Sequence, residues 1–219
     1  MQRTNKFLFL FLSLTIISLS INAQGKIACI GNSITYGSAT EDRVANSFPG
    51  QLDQLLGDEW IVKNFGVSGA TMLKNGDKSY WNQEAFEDAK NFQPDIVIIK
   101  LGTNDTKPQN WKYKDEYTGD YLDMIKIFRE LESKPDIWIC LPVPAYEDRW
   151  GIRDSIIKND IIPFVTKIAE DTGVKLIDLY NPLSGKPEYF PDKIHPDNNG
   201  AKIIASLIAN RVRKERPFR

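Results

Sequence analysis

Five short apolar runs recur along the chain. Each is rich in β-branched residues and nearly continuous in its hydrophobicity, which is typical of a parallel strand covered on both faces. The runs cover residues 26–30, 60–65, 95–100, 136–141 and 174–179. This pattern predicts five buried strands in one sheet.

Helical periodicity fills the intervals between these runs. The helical segments are 47–57, 120–133, 153–173 and 198–215, and the first of them ends at Gly57, the residue type typical of a C-cap. Within the third of them, Pro163 predicts a kink or a helix restart. Strands that alternate with helices indicate an α/β protein, a three-layer α/β/α sandwich with right-handed crossovers. We expect a five-stranded parallel sheet of flavodoxin-like order 2-1-3-4-5, with ligands bound beyond the carboxyl ends of its strands.

The first 23 residues have the composition of a secretory signal peptide. Arg3 and Lys6 precede an apolar stretch over 7–21, and Ala23 provides a small residue at a plausible cleavage point. A transmembrane anchor is the alternative, but the stretch is short for a bilayer span. We therefore expect a signal peptide over 1–23, a single domain over 24–219, and an exported protein that is periplasmic or extracellular. Once the signal is cleaved, no stable membrane association is expected.

Charge and residue counts narrow the function classes. Of the 28 Lys and Arg residues, Arg3 and Lys6 belong to the leader, so 26 remain against 29 Asp and Glu. This balance argues against a nucleic-acid partner, which would require a basic excess. The chain has one His and two Cys, too few for a His-rich or Cys-rich metal site, so neither a metal nor another cofactor is expected.

The two cysteines test the expected strand order. Two Cys in an exported protein suggest a disulfide, but Cys29 lies in the first strand and Cys140 in the fourth. In a 2-1-3-4-5 sheet the third strand separates them by about 9–10 Å. A disulfide needs Cα atoms about 4.4–6.8 Å apart, so two buried free thiols are predicted.

Glycine-containing polar turns follow three consecutive strands. Ser33 follows the first strand and begins a helix, where free backbone N–H groups can stabilise negative charge. Gly69 follows the second strand, and Asn104 follows the third. Considered alone, Ser33 is an ordinary helix cap and Asn104 an ordinary turn amide. Because Ser33, Gly69 and Asn104 all follow strand ends, the pattern also indicates one common site.

His195, the only histidine, lies just before the last helix, three residues after Asp192. A serine nucleophile needs a neighbouring base, and that base needs a carboxylate on its other nitrogen. One Asp-x-x-His turn can provide both. In isolation, His195 would be a turn residue beside a proline and Asp192 a solvated loop carboxylate.

Taken together, these blocks resemble the SGNH (GDSL-like) hydrolase family. The blocks are residues 31–33, Gly69, residues 102–105 and residues 192–195, and they span nearly all of the mature chain in the family's order. The resemblance implies the SGNH hydrolase fold and a Ser-His-Asp acyl-enzyme mechanism. It assigns Ser33 as nucleophile, His195 as general base and then acid, and Asp192 as the orienting carboxylate.

The resemblance also implies an oxyanion hole formed by the backbone N–H groups of Ser33 and Gly69 and by the side-chain amide of Asn104. One position departs from the usual pattern. The first block often reads Gly-Asp-Ser, but this chain has Asn32, which keeps hydrogen-bonding ability without charge. Any anionic role of that residue is therefore in doubt, while the three catalytic residues are unchanged.

Within the family, the blocks look most like exported carbohydrate O-acetylesterases, including sialate O-acetylesterase-like proteins. The expected substrate is therefore a small-molecule or glycan O-acetyl ester.

Trp81, Trp111 and Trp150 lie in loops after the second, third and fourth strands, where aromatic rings could bind sugar faces or simply anchor the loops. Trp111 is singled out as the substrate contact. A GDSL-like lipase or lysophospholipase-type esterase and a non-catalytic carbohydrate-binding protein are the alternatives, and the sequence leaves the acetylated sugar and the oligomeric state open.

Overall fold

The computed structural model describes residues 24–216. The expected signal peptide over 1–23 lies outside the described residues. Within the described part, no helix combines the length and the apolar character needed to cross a membrane.

A five-stranded sheet forms the middle layer. Its strands are β1 (Gly25–Gly31), β2 (Trp60–Gly66), β3 (Ile96–Lys100), β4 (Asp136–Cys140) and β5 (Lys175–Ile177). All neighbours pair in parallel and the order is β2-β1-β3-β4-β5, which confirms the predicted topology. The last strand is shorter than predicted, because the Asp178 carboxylate accepts hydrogen bonds from the backbone N–H groups of Tyr180 and Asn181 and turns the chain there.

Helices cover both faces of the sheet. They are α1 (Ser33–Tyr36), α2 (Arg43–Asn46), α3 (Phe48–Leu56), α4 (Glu84–Asn91), α5 (Pro108–Trp111), α6 (Tyr117–Arg129), α7 (Asp154–Ile156), α8 (Ile162–Thr172) and α9 (Asn198–Glu215). A π-helical segment, Ile157–Ile161, joins α7 to α8, and Pro163 lies in the first turn of α8. The chain is therefore helical over 154–172 without a break, and the predicted irregularity takes the form of the π-helical segment just before Pro163.

The core is divided by the sheet into two layers. Ile30 and Ile99 belong to the layer beneath α4, α6 and α8, whereas Cys29 and Ile98 belong to the layer beneath α3 and α9. Successive strand residues point to opposite faces, so one continuous apolar run supplies both layers. Burial on both faces explains why the strands read as unbroken hydrophobic stretches.

The two cysteines lie within this core. Cys29 of β1 and Cys140 of β4 are both free and fully buried, with β3 between their strands, as predicted.

The strand register brings three strand ends level with one another. Gly31 pairs with Gly66 on one side and with Lys100 on the other. The segments that follow these three residues therefore leave the sheet at the same edge and lie side by side. This edge is where the sequence predicts a site.

Candidate active site

Ser33 sits at the junction of β1 and α1. Gly31 lies two residues before Ser33 and has no room for a side chain, since a Cβ there would lie 2.7 Å from the carbonyl oxygen of Lys100. Asn32 caps α1 by accepting a hydrogen bond from the backbone N–H of Ile34 at 3.1 Å. Ser33 is the first helical residue and is 5% exposed. The turn thus fixes the hydroxyl at the edge of the sheet.

His195 and Asp192 meet Ser33 from the loop before α9. The Nε2 atom of His195 lies 2.8 Å from Ser33 Oγ, and its Nδ1 atom lies 2.7 Å from Asp192 Oδ2. An ionised carboxylate can only accept, so Nδ1–H donates to Asp192 and Nε2 is left to accept from the serine hydroxyl. The three side chains form a continuous hydrogen-bonded line.

The Asp192 turn holds the imidazole in position. The other carboxylate oxygen, Oδ1, accepts the backbone N–H groups of Ile194 at 3.0 Å and His195 at 2.7 Å. Burial raises the pKa of Asp192, but these bonds and the one from the His195 ring outweigh it and hold the pKa below its usual value. Asp192 therefore remains ionised near neutral pH, as an acceptor for Nδ1–H must.

Gly69 and Asn104 occupy the neighbouring strand-end turns. Gly69 has φ +83°, a conformation that favours glycine. The Asn104 amide nitrogen donates one hydrogen to the carbonyl oxygen of Ala70 at 3.0 Å. An amide nitrogen carries two hydrogens, so its second can serve a ligand in the cleft. The arrangement places potential oxyanion donors beside the serine.

A cleft of about 370 Å³ joins these residues. Its lining residues are Ser33, Ser38, Ser68, Gly69, Asn104, Lys107, Trp150, Ile152, Asp192 and His195. The five residues that the sequence assigns to the triad and oxyanion hole all lie here. Most of the lining residues have polar side chains, and Trp150 and Ile152 are the large apolar side chains among them.

Trp111 does not fit the role assigned to it from the sequence. It is 7% exposed, packs against the rings of Tyr117 and Phe164, and donates its indole N–H to Asp160 at 3.1 Å. The short helix α5 turns this ring into the core rather than toward the cleft. Trp111 therefore anchors its loop to the body of the protein.

Trp150 takes the position expected of a substrate-binding ring. It lines the cleft, is 53% exposed, and its ring centre lies 5.5 Å from that of His195. The sequence placed it in a loop near the site but could not rank it above Trp111. The direction of each ring depends on loop backbone that hydrophobic periodicity does not describe.

Asp105 is a buried carboxylate that the sequence analysis did not single out. It accepts backbone N–H groups from Met72 at 3.1 Å and Leu73 at 2.8 Å. Burial raises its pKa to about 6, although these N–H groups act in the opposite direction. Asp105 and Asn104 together connect the end of β3 to the segment just after Gly69. Its position beside Asn104 in the "GTND" block was the available signal.

Lys100, at the end of β3, is fully buried beneath the Ser33 turn. Its ammonium lies 3.5 Å from Asn32 Oδ1 and 3.3 Å from Thr103 Oγ1. Burial lowers its pKa to about 7, partly opposed by nearby Cys140. Asn32 is also completely buried and caps α1 through a neutral oxygen. Its observed role therefore requires no negative charge.

Residues 24–216 contain no cluster of three or more His, Cys, Asp or Glu side chains arranged to hold a metal ion.

Comparison with known proteins gives a family match over most of the chain. The sequence model of the GDSL-like lipase/acylhydrolase family matches residues 29–203. An acetylxylan esterase from Xylanibacter ruminicola is 41% identical over 206 residues, which are 86% of this chain and 43% of that protein. The chain thus spans less than half the length of this relative.

Solved structures share the fold at lower sequence identity. A carbohydrate acetylesterase from Sinorhizobium meliloti superposes with a TM-score of 0.72 at 18% identity, covering 88% of this chain and all of the other (100%). A putative arylesterase from Agrobacterium tumefaciens gives a TM-score of 0.70 at 23% identity, covering 87% of this chain and 99% of that one. These likenesses establish the α/β/α architecture.

Proposed function

Because the chain belongs to the GDSL-like lipase/acylhydrolase family, we propose that it is a serine esterase that removes O-acetyl groups from carbohydrates. The observation that carries the proposal is the hydrogen-bonded line from Asp192 through His195 to Ser33. It lies in one cleft with Gly69 and Asn104. Such a line supplies a nucleophile, a base and an orienting carboxylate for acyl transfer.

The reaction proceeds through an acyl-enzyme. Ser33 Oγ attacks the acetyl carbonyl carbon while His195 Nε2 takes the hydroxyl proton, and the carbonyl π electrons move to oxygen. The backbone N–H groups of Ser33 and Gly69 and the amide of Asn104 stabilise that oxyanion. When the intermediate collapses, the bond to the sugar oxygen breaks and His195 returns the proton to it. Water, deprotonated by His195, then attacks the carbonyl carbon of the acetyl-serine. The bond from that carbon to Ser33 Oγ breaks, His195 returns the proton to Oγ, and acetate is released.

An acetylated carbohydrate suits the surroundings of this serine. The cleft offers the hydroxyls of Ser38 and Ser68 and the exposed face of Trp150, a combination of polar groups and a flat ring that fits a sugar. The acetylxylan esterase relative supports the same substrate class. A lipase-type substrate would need a broad aliphatic groove for its acyl chain, whereas Trp150 and Ile152 are the large apolar side chains that line this cleft.

We also propose that residues 1–23 direct export and are removed. Arg3, Lys6 and the apolar stretch over 7–21 support this, together with Ala23. Amino-terminal sequencing of the exported protein should give a mature chain beginning near Gln24. A protein retained in the cytoplasm with Met1 intact would contradict it.

The substitution Ser33→Ala tests the mechanism. Without Oγ no acetyl-serine forms, so acetate release from acetylated glycans should fall by at least about 10³-fold. Ser184→Ala, a serine in an exposed turn outside the cleft, is the matched control and should keep wild-type activity. Wild-type acetate release by Ser33→Ala would disprove the mechanism.

A chain-length series of nitrophenyl esters separates the two esterase classes. The proposed function requires acetate to be the preferred acyl group and longer chains to react more slowly. Activity that rises beyond butyrate would instead support a lipase-type enzyme. Sugar binding without acetate release in the wild-type protein would identify the non-catalytic carbohydrate-binding alternative.

A further inference from the structure

Three cationic side chains lie at the mouth of the cleft. Lys107 lines the cleft, and the Arg149 guanidinium lies 4.6 Å from the ring centre of Trp150. Lys78 extends past Gly69, where a built Cβ would lie 3.4 Å from Lys78 Cδ. Cations therefore border the triad and the oxyanion turn.

These cations form no close ion pairs within the described residues. Within residues 24–216, none of Lys78, Lys107 and Arg149 has a carboxylate oxygen within 4.0 Å. Burial raises the pKa of Asp77, but hydrogen bonds from Asn110 and Gln109 and the nearby charge of Lys107 together hold it below its usual value, without a direct contact between Asp77 and the Lys107 ammonium. The Lys107 ammonium remains available to a ligand.

The carboxylates around the site are either occupied or face elsewhere. Asp192 is the only acidic residue among those lining the cleft, and its oxygens already accept hydrogen bonds from Ile194 and His195. Glu147 and Asp148 share the loop of Arg149, are exposed, and do not line the cleft. The Asp192 carboxylate is therefore committed to the triad, and Lys107, with Arg149 beside it, is the cation placed to meet a negative group on a ligand.

Trp150 is presented between two of these cations by a strained turn. The backbone N–H of Ile152 donates to the carbonyl oxygen of Arg149 at 2.9 Å, and the two residues between them have φ +53° (Trp150) and +79° (Gly151). Positive φ at both central positions defines a type I′ turn, and a tryptophan there is unusual. A Cβ built on Gly151 would lie 3.6 Å from Lys107 Cγ, so Lys107 flanks the turn opposite its Arg149 end. Strain of this kind is concentrated at ligand-binding sites.

We propose that the cleft selects acetylated glycans that carry a uronic acid beside the acetylated sugar. Trp150 stacks on a sugar ring, while Lys107 and Arg149 bind the uronate carboxylate next to it. The guanidinium of Arg149 can make a bidentate contact with a carboxylate, and Lys107 adds a second charge. This inference rests on the proposed function, because Ser33 is the nucleophile in both.

Paired substrates test the selection. Two acetylated xylo-oligosaccharides of equal length and acetylation, one with a glucuronic acid branch beside the acetylated residue, are compared at low ionic strength. The acidic substrate should have a kcat/KM about fivefold or more above that of the neutral one. Because the preference is electrostatic, the ratio of kcat/KM for the acidic substrate to that for the neutral one should decline toward one as NaCl rises to about 0.5 M. Equal kcat/KM values at low salt would overturn the proposal.

Charge-removing variants identify the residues responsible. Lys107→Gln and Arg149→Gln should each lower kcat/KM for the acidic substrate more than for the neutral one. The matched control is Lys112→Gln, an exposed lysine at the end of α5 that does not line the cleft, and it should keep the wild-type ratio. Loss of activity in equal proportion on both substrates would overturn the assignment of these residues.

Binding to Ser33→Ala separates this inference from the proposed function. If the wild-type protein releases no acetate from either oligosaccharide, the proposed function fails, but calorimetry with the variant still measures selection. Tighter binding of the acidic oligosaccharide, abolished by adding Lys107→Gln, would support the cationic subsite. Equal affinity for both oligosaccharides would refute it whatever the catalytic result.

Discussion

Lys100 ends an apolar run, yet its side chain turns into the core. Ile96 and Ile98 precede it at intervals of two residues and belong to the core layer beneath α3 and α9, so strand alternation carries Lys100 to the same face. There its ammonium meets Asn32 and Thr103 rather than a carboxylate. A lysine at a strand end is usually exposed, so the apolar run predicted the strand but not this burial.

The substitution Lys100→Met should stabilise the protein at neutral pH. Burial lowers the pKa of Lys100 to about 7 from an ordinary 10.5, so the unfolded chain binds the proton more strongly. Burial of Lys100 therefore lowers the free energy of unfolding. The loss is complete below pH 7 and disappears as pH rises from 7 to 10.5. The variant should therefore unfold at a higher Tm by several degrees at pH 6–7, with the advantage shrinking toward pH 10.

Thermal unfolding followed by circular dichroism from pH 6 to 10 measures this difference. Lys112→Met, an exposed matched control, should leave Tm nearly unchanged throughout. A lower Tm for Lys100→Met at every pH would mean that the contacts with Asn32 and Thr103 outweigh the cost of burial.

The strand-end turns depend on one another more than on their own sequences. Asn104 and Asp105 follow β3, but their side chains hold the backbone of Ala70, Met72 and Leu73 after β2. The sequence located each turn because glycine and polar residues interrupt apolar runs. It could not show these cross-connections, since no local pattern records which backbone N–H a distant carboxylate accepts. Hydrophobic periodicity likewise does not describe loop backbone, so it could not show that Trp150 rather than Trp111 faces the cleft.

The substitution Asp105→Asn tests the coupling between these two turns. Asparagine keeps one acceptor oxygen where the carboxylate offers two, so one of the N–H groups of Met72 and Leu73 is left without its partner. Losing that hydrogen bond should displace the backbone after Gly69 and so misplace its N–H group. We expect kcat to fall about 10- to 100-fold with little change in KM, because oxyanion stabilisation acts in the transition state.

Steady-state kinetics on an acetylated oligosaccharide gives this kcat and KM, with circular dichroism confirming that the variant is folded. Asp115→Asn, an exposed carboxylate in the following loop, is the matched control. A change confined to KM would assign Asp105 to substrate binding rather than to positioning the oxyanion turn.

The whole-molecule topology decides which distant residues become neighbours. The order β2-β1-β3-β4-β5 brings the ends of β1, β2 and β3 to one edge, and the loop before α9 returns His195 to it. Strand alternation with helices predicted a parallel sheet, and a parallel sheet in turn predicted functional residues just beyond the carboxyl ends of its strands. The same order keeps Cys29 and Cys140 in one core layer but on strands separated by β3.

The thiols therefore provide a solution test of the topology. Burial raises the pKa of Cys140 to about 12 and that of Cys29 well above its usual range, so neither forms a reactive thiolate at neutral pH. Both should resist alkylation in the native protein and react once it is denatured, giving two modified cysteines per chain. Dithiothreitol should leave Tm unchanged, because there is no bridge to reduce. An intact mass lower by two hydrogens, restored by reductant, would reveal a Cys29–Cys140 disulfide, which would require β1 and β4 to be much closer than this strand order permits.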